Sequence, residues 1–286
     1  MSRELTPCQL IERSIQKRFR KELWTPFVLA VKRYELIQPG DRIAVCISGG
    51  KDSMLLAKLM QQLQRVSDFP FEVRYLVMDP GYSPANRAQI ERNAALMELP
   101  VHIFETDIFD TANHTEKNPC YLCARMRRGH LYKQAQALGC GKIALGHHFD
   151  DVIETTVLAM LYGGQLQGMM PKLHSTNFPG MELIRPLYCV REKDILAWKR
   201  YNGLEFLQCA CRFTENAAQE RVSSKRHAVK ELIAQLSRDD PDIPQRIFSS
   251  LHAVNIDTFP GWKEGGEPHS FLEDYDARAS SVLPES

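Results

Sequence analysis

The sequence predicts an α/β protein, a parallel sheet with helices on both faces and extra helices at the N- and C-termini. Three observations carry this. Short apolar runs alternate with longer amphipathic segments between Arg42 and Leu161. The first run, Arg42–Ile47, is apolar throughout after its arginine, as a strand covered on both faces must be. It passes at once into a Ser-Gly-Gly turn and a helical pattern, the βα unit from which parallel sheets are built.

In chain order, Pro7 to Leu36 is helical in pattern and basic. Arg13, Lys17, Arg18, Arg20 and Lys21 interleave with Ile15, Phe19, Leu23 and Trp24, and Pro26 is expected to break or kink the helix. Gln38-Pro39-Gly40-Asp41 is a turn. Strands are predicted at Arg42–Ile47, Glu72–Met78, Val101–Phe104 and Lys142–Leu145. Helices alternate with them at Lys51–Val66, Pro84–Met97, Cys120–Leu138 and Asp150–Leu161. Ligands of such a sheet bind at the carboxyl ends of its strands. After Gly163-Gly164 the rhythm changes. Met181–Ile184 reads as an edge strand, and helices follow at Glu192–Tyr201, Glu215–Leu236 and Gln245–Val254. From Gly265 the chain is polar with Gly, Ser and Asp, and a disordered tail is expected. The organisation is therefore a basic helical segment at 1–40, the α/β domain at 41–236, a C-terminal helix at 237–264 and the tail at 265–286.

Composition sets limits without choosing a function. The 286 residues are 44% hydrophobic and 25% charged, ordinary for a globular protein. With 36 Lys+Arg against 35 Asp+Glu, net charge does not argue for nucleic acid; only local clusters can. No apolar run is long enough to span a membrane, and Met1–Thr6 lacks a signal-peptide pattern, so a cytoplasmic protein with no membrane partner is expected. Its eight cysteines are then thiols or ligands, not disulfides.

Four motifs carry chemistry. The first is the strand-to-helix loop Ser48-Gly49-Gly50-Lys51-Asp52-Ser53. Its glycines let backbone N–H groups approach an anion, the helix N-terminus adds its dipole, the serines offer hydroxyls and Lys51 a cation. The spacing is not that of a Walker A loop. The second is Gly146-His147-His148-Phe149-Asp150-Asp151-Val152-Ile153-Glu154-Thr155, again between a strand and a helix. Asp150 and Asp151 suit the first turn, where they can cap it. Carboxylates there, Asp151 with Asp52, can hold Mg²⁺ beside a phosphate. The third is Met78-Asp79, which from the residues alone is only a strand end. The fourth is Cys120-Tyr121-Leu122-Cys123, followed by Arg125, Arg127 and Arg128. A C-x-x-C at a helix start favours thiolates, and the arginines suit a nucleic-acid backbone. Cys209 and Cys211 can supply the remaining ligands of a zinc or iron–sulfur site. Cys8, Cys46, Cys140 and Cys189 stand alone, and Cys46 lies inside a strand as core.

Together these motifs resemble the tRNA 2-thiocytidine synthetase family of PP-loop ATP pyrophosphatases. The resemblance rests on Gly40-Asp41-Arg42-Ile43 leading to the Ser48–Ser53 loop, on Cys120 to Gly129, on Gly146 to Thr155 and on Arg185-Pro186-Leu187. It spans about residues 12 to 235. It implies a Rossmann-like PP-loop fold and cleavage of ATP to AMP and pyrophosphate, with Ser48, Gly49, Gly50, Lys51, Asp52, Ser53, Gly146 and His147 on the nucleotide and the Met78-Asp79 backbone on the adenine. Lys51, Asp52 and Asp151 are the expected catalytic residues. It also implies a [4Fe–4S] cluster on Cys120, Cys123 and a distal cysteine. Here Cys209-Ala210-Cys211 departs from a C-x-x-C spacing, so Cys209 or Cys211 is the third ligand, and register favours Cys209. The family further implies tRNA as substrate, a sulfur donor (a cysteine desulfurase or sulfide) and a homodimer. The reading that follows is adenylation of a cytidine C2 carbonyl and its replacement by sulfur in the anticodon loop. Rival readings are a PP-loop sulfurtransferase acting on another tRNA base or a small molecule, and a non-catalytic iron–sulfur RNA-binding or redox-sensing protein.

Overall fold

The computed structural model describes residues 4–106, 108, 119–207, 225–273 and 275. The chain starts with α1 (Pro7–Arg13), closed by a reciprocal cap: Gln9 N–H donates to Thr6 Oγ1, and Thr6 N–H to Gln9 Oε1. Two π-helical turns follow, Ser14–Arg18 and Arg20–Trp24, either side of Phe19, and then α2 (Thr25–Arg33). The interruption falls at Phe19 and not at Pro26, which instead starts α2, where its missing N–H costs no bond. The reason lies in the spacing of Ile11, Ile15, Phe19, Leu23 and Phe27, one every four residues, all buried in the main core. In an α-helix each four-residue step turns the side chain by about 40°. The widened turns absorb that drift and keep all five on one side. The basic segment is thus no appendage; its apolar side belongs to the core of the α/β domain.

Six strands form one sheet: β1 (Arg42–Ile47), β2 (Glu72–Asp79), β3 (Val101–Glu105), β4 (Lys142–Ala144), β5 (Lys172–His174) and β6 (Glu182–Ile184). Their order is β3-β2-β1-β4-β6-β5, parallel except for β5, which runs antiparallel to β6. The strand expected to form the edge, Glu182–Ile184, is therefore an inner strand. The edge is Lys172-Leu173-His174, too short and too polar to be read from sequence. Helices α3 (Lys51–Val66), α4 (Pro84–Leu96), α5 (Pro119–Ala137), α6 (Phe149–Gly163) and α7 (Glu192–Tyr201) cover the sheet, followed by α8 (Lys225–Asp239) and α9 (Ile243–Ser250). Alternation along β1 separates the layers. Ile43, Val45 and Ile47 join Met54, Leu55 and Leu59 of α3, while Ala44 and Cys46 join Tyr132 and Ala135 of α5.

The chain runs outward from β1 to β3 and then crosses back to place β4 on the other side of β1. The connections that follow β1 and β4 run to different sides there, and the carboxyl ends of these two strands are where a ligand of such a sheet binds.

A second cluster joins α6 to the C-terminal helices through Phe149, Ile153, Val157, Val229, Ile233 and Phe248, with Phe149 and Phe248 stacked at 4.5 Å. Where a disordered tail was expected to begin, the described residues 265–273 form a turn, a strand and a short 3₁₀ helix. Gly265 and Gly266, at φ +60° and +95°, turn a hairpin of β7 (Gly261–Glu264) and β8 (Glu267–Ser270). Two successive residues at positive φ are what a tight hairpin of this kind requires. The glycines that suggested disorder are its turn. Residue 274 and residues 276–286 of the expected tail lie outside the described residues.

One buried charge was invisible in the pattern. Lys58 of α3 is fully buried. Its Nζ donates to Met97 O (2.9 Å) and Gln61 Oε1 (2.7 Å), meets Cys8 Sγ at 3.1 Å and pairs with Glu12 Oε1 at 2.7 Å. Lys58→Met keeps the volume but strips several buried acceptors of their donor. We expect a loss of about 3 kcal/mol in urea unfolding, within the range for unsatisfied buried polar groups, with no change in nucleotide binding.

Candidate nucleotide-binding site

The loop after β1 is built to expose backbone N–H groups. Gly49 sits at φ +81°, and a Cβ there would lie 2.7 Å from the Ile90 side chain and 2.9 Å from Leu207. Gly50 caps α3 without any side-chain bond, so the first N–H groups of the helix face outward unpaired by a cap. Inside the turn, Ser48 N–H donates to Ser53 Oγ (3.1 Å), and Ser53 O–H donates to Gly50 O (3.0 Å). The Ser48 hydroxyl, 3.2 Å from Ser53 Oγ, is thereby left as the donor of that pair. This shape is an anion cradle at a helix N-terminus.

The loop after β4 closes the cradle from the other side. A Cβ on Gly146 would sit 3.0 Å from the backbone N of Ser53 and 3.1 Å from the carbonyl carbon of Asp52. Only glycine lets the two loops touch. Beyond it, His148 and not an aspartate caps α6. Asp151 N–H donates to His148 Nδ1 (3.3 Å), and His148 N–H donates to Asp151 Oδ2 (3.1 Å). Because Nδ1 accepts, the ring proton lies on Nε2, 3.8 Å from Asp52 Oδ1.

The expected catalytic residues do converge, on terms the sequence did not disclose. Lys51 Nζ lies 3.1 Å from Asp52 Oδ2 and 3.0 Å from Glu192 Oε1. Burial opposes its charge, but Asp52 and Glu192 outweigh that and hold the ammonium above its ordinary range. Burial raises the Asp52 carboxyl, only partly offset by His148 and Lys51. Asp151 is fully engaged, by His148 on Oδ2 and by Arg226 Nη2 on Oδ1 at 3.0 Å. Arg226 also holds Glu154 at 3.2 Å.

A hollow of 320 Å³ opens over these groups, lined by Ser48, Asp52, Ser53, Met78, Arg127, Gly146, His147 and Asp151 together with Cys46 and Leu131. Asp79 is not on it. Its Oδ1 accepts from Gly81 and Tyr82 N–H, its Oδ2 meets Arg87, and its carbonyl accepts from Thr106 N–H. It shapes a neighbouring hollow of 530 Å³ with Arg87, Glu91 and Glu105. Of the strand-end pair, Met78 faces the cradle and Asp79 organises the turn behind it. The larger hollow contains none of the loop residues, so the smaller one is the site. Cys46, in its wall, is buried with its thiol pushed up to about 12 by burial.

A nucleotide and its cation fit these residues on a specific observation. Asp52 Oδ1 and His147 Nδ1 are buried with no hydrogen-bond partner among the described residues. An acceptor aimed into an anion cradle is where a phosphate-bound Mg²⁺ belongs, since Mg²⁺ takes one or two carboxylates plus phosphate oxygens. Asp52 fits that role better than Asp151, whose oxygens are taken.

Cys120 and Cys123 lie in the first two turns of α5, and Arg127, about one helical turn beyond Cys123, lines the hollow. Cys209 and Cys211 lie outside the described residues. Leu207 does not: its N–H donates to Gly49 O at 3.1 Å, in the phosphate loop itself.

This fold and cradle define a PP-loop domain. The family model described as "PP-loop domain" matches residues 13–226. Curated relatives narrow the group. The chain is 34% identical over 293 residues to a tRNA-cytidine(32) 2-sulfurtransferase of Shewanella pealeana, covering 100% of this chain and 89% of the relative. It is 35% identical over 243 residues to the protein of that name from Cellvibrio japonicus, covering 84% and 77%. The chain belongs to the tRNA-cytidine 2-sulfurtransferase family of PP-loop proteins. Among solved structures, the U34-tRNA thiolase NcsA from Methanococcus maripaludis with its [4Fe-4S] cluster shares the fold, with TM-score 0.63 and 18% identity over 92% of this chain and 89% of that one. Among the described residues, no helix is long and apolar enough to cross a membrane.

Sequence reasoning missed Glu192, Arg226 and Lys230. They are ordinary charges at helix starts, with no spacing that ties them to the loop.

Two tests follow from this geometry. Gly146→Ala pushes a methyl into the backbone of Asp52 and Ser53, and MgATP affinity measured by calorimetry should fall at least tenfold, about 1.4 kcal/mol. The second concerns His147, whose pKa burial and the charge of Arg185 lower to about 4. The unfolded chain therefore binds the proton more readily between about pH 6.5 and 4, and the native state loses stability as pH falls through that window. In His147→Gln the urea midpoint should fall less steeply across it; equal slopes would refute the assignment.

Proposed function

We propose that this protein thiolates tRNA, using ATP to activate the C2 carbonyl of a cytidine in the anticodon loop and replacing that oxygen by sulfur. The observation that carries this reading is the anion cradle of the Ser48–Ser53 loop, closed by Gly146 and opening on a hollow that Arg127 of α5 also lines. The sequence adds a C-x-x-C just ahead of Arg127 and a second cysteine pair after Leu207, which an enzyme that only adenylates does not need.

The exposed N–H groups of α3, with Lys51, hold the β- and γ-phosphates and stabilise the pyrophosphate as it leaves, while the two serine hydroxyls hold the shape of the turn. Asp52 is the carboxylate that would hold Mg²⁺ there. The carbonyl oxygen of the base attacks the α-phosphorus and expels pyrophosphate. The oxygen is now part of an AMP leaving group. Hydrosulfide, supplied free or released from a desulfurase persulfide by a thiol reductant that provides two electrons, attacks C2, and AMP departs with the oxygen. Neutral His147 adds a polar atom without adding charge at the hollow wall. Asp151 acts by orienting His148 against Asp52. Cys120, Cys123 and one of Cys209 and Cys211 would hold a [4Fe–4S] cluster; two thiols one helical turn apart at a helix N-terminus suit iron. Such a cluster supplies an iron without a protein ligand, where sulfur can be held. Arg127 and Arg128 beside the hollow, and separately the exposed Arg13, Lys17, Arg18, Arg20 and Lys21, offer basic groups to the tRNA backbone. A base must be unstacked to enter the hollow, which an anticodon loop allows. The reading includes a cytoplasmic homodimer supplied by a cysteine desulfurase or free sulfide.

Deleting the gene should remove one thiolated cytidine from total tRNA in nucleoside mass spectrometry. Protein purified anaerobically should be brown, with about four irons per chain. An unchanged thionucleoside profile would end the tRNA reading, and a colourless protein holding one zinc would end the cluster.

A further inference from the structure

Glu192, the first residue of α7, joins three parts of the site. Its Oε1 meets Lys51 of the phosphate loop at 3.0 Å, and its Oε2 meets Lys230 of α8 at 2.5 Å. Its backbone N–H donates to Asp150 Oδ2 at 2.6 Å, in the first turn of α6, just after the loop that closes the cradle. Asp150 is fixed in turn by Arg191 at 3.3 Å, whose guanidinium lies 4.6 Å over the Phe149 ring. We propose that Glu192 is the positioning residue for Lys51, itself clamped from behind by Lys230; this rests on the reading of the loop as an ATP site.

Lys51 has two carboxylates within reach. Held by Asp52 alone, the ammonium would settle on the acidic group that the nucleotide's cation needs. Shared with Glu192, it is drawn toward α7 and leaves Asp52 Oδ1 free. A surface ion pair would contribute little and hold nothing in place. Glu192 differs because it is largely buried, at 18% side-chain exposure, and both of its oxygens are committed. Burial works against its charge, but Lys230 and Lys51 together bring its pKa down to about 2, so it remains an anion throughout the neutral range. The clamp also has a direction. α8 starts downstream of Cys209 and Cys211 and supplies Lys230 to Glu192 and Arg226 to Asp151 and Glu154. The position of α8 is thereby passed to the lysine of the phosphate loop.

The test uses the full chain with Glu192→Gln, Glu192→Asp, Lys230→Gln and the double variant Glu192→Gln/Lys230→Gln. Two readouts are taken. The first is trace acetylation of each lysine by acetic anhydride at pH 8, read by mass spectrometry, which requires no turnover. In Glu192→Gln, Lys51 should label about fivefold faster while lysines other than Lys230 are unchanged, because its Nζ loses the carboxylate that tethers it at 3.0 Å and becomes accessible to the reagent. The second is tRNA- and ATP-dependent pyrophosphate release. Its kcat should fall about tenfold while KM for ATP moves less than about threefold, the pattern of a displaced group and not of lost binding. Glu192→Asp should recover part of both effects. Lys230→Gln should act in the same direction but less, and the double variant should be no worse than Glu192→Gln alone, since both act through one contact. Unchanged Lys51 labelling in Glu192→Gln would overturn the proposal, as would faster labelling with unaltered kcat, or additive losses in the double variant. If the wild-type protein releases no pyrophosphate with tRNA, the thiolation reading fails, and the labelling of Lys51 still decides the role of Glu192.

Discussion

The site depends on one backbone contact, the approach of Gly146 to Asp52 and Ser53. Two loops that leave neighbouring parallel strands normally diverge at a switch point. Here they meet, because the second has no side chain where it crosses the first. That contact places His147 and the His148–Asp151 cap beside the phosphate loop, and turns an open crevice into a cradle with a wall. The charges follow from it. Asp52, Lys51 and His148 are near one another only because the loops are, and the buried carboxylate gains neighbours that make its ionisation tolerable.

Around this contact the molecule is arranged as successive supports. The sheet order puts β1 and β4 side by side. The N-terminal helical segment backs α3 through Ile11, Ile15 and Phe19, and Lys58 ties α3 to the α4 end through the Met97 carbonyl. The C-terminal helices seat on α6 through Phe248 and Ile233 and bring Arg226 to Asp151 of α6 and Lys230 to Glu192 of α7. Elements far apart in sequence thus converge on the first turns of α3 and α6.

Much of this was legible in the residues. The βα alternation, the Gly-rich turn and the Gly146–Thr155 segment are local patterns, and local patterns survive translation into structure: β1 and α3 have the limits their sequence suggested. What was not legible is non-local or is carried by common residues. Glu192 looks like any acidic helix start until Lys51 and Lys230 are seen to flank it. β5 has three residues and little hydrophobicity, so it becomes a strand only because β6 offers an edge to pair with. The break at Phe19 arises from a four-residue repeat that no single residue announces, whereas Pro26, the expected breaker, occupies a position that tolerates proline. Gly265-Gly266 looked like loosened chain because glycine serves turns and disorder equally. For Met78 and Asp79 the residues named the right strand end but not which of the two faces the cradle.

Cys46 gives the hollow a further property. Cys46 lines a chamber read as one where sulfur is transferred. Burial pushes its thiol up to about 12, which keeps it protonated at neutral pH. An ordinary surface cysteine in that position would compete for incoming sulfur, forming persulfides or mixed disulfides with the donor. Burial against the sheet makes this one a spectator, so the chamber has a lining that is sulfur in composition yet inert toward sulfur chemistry.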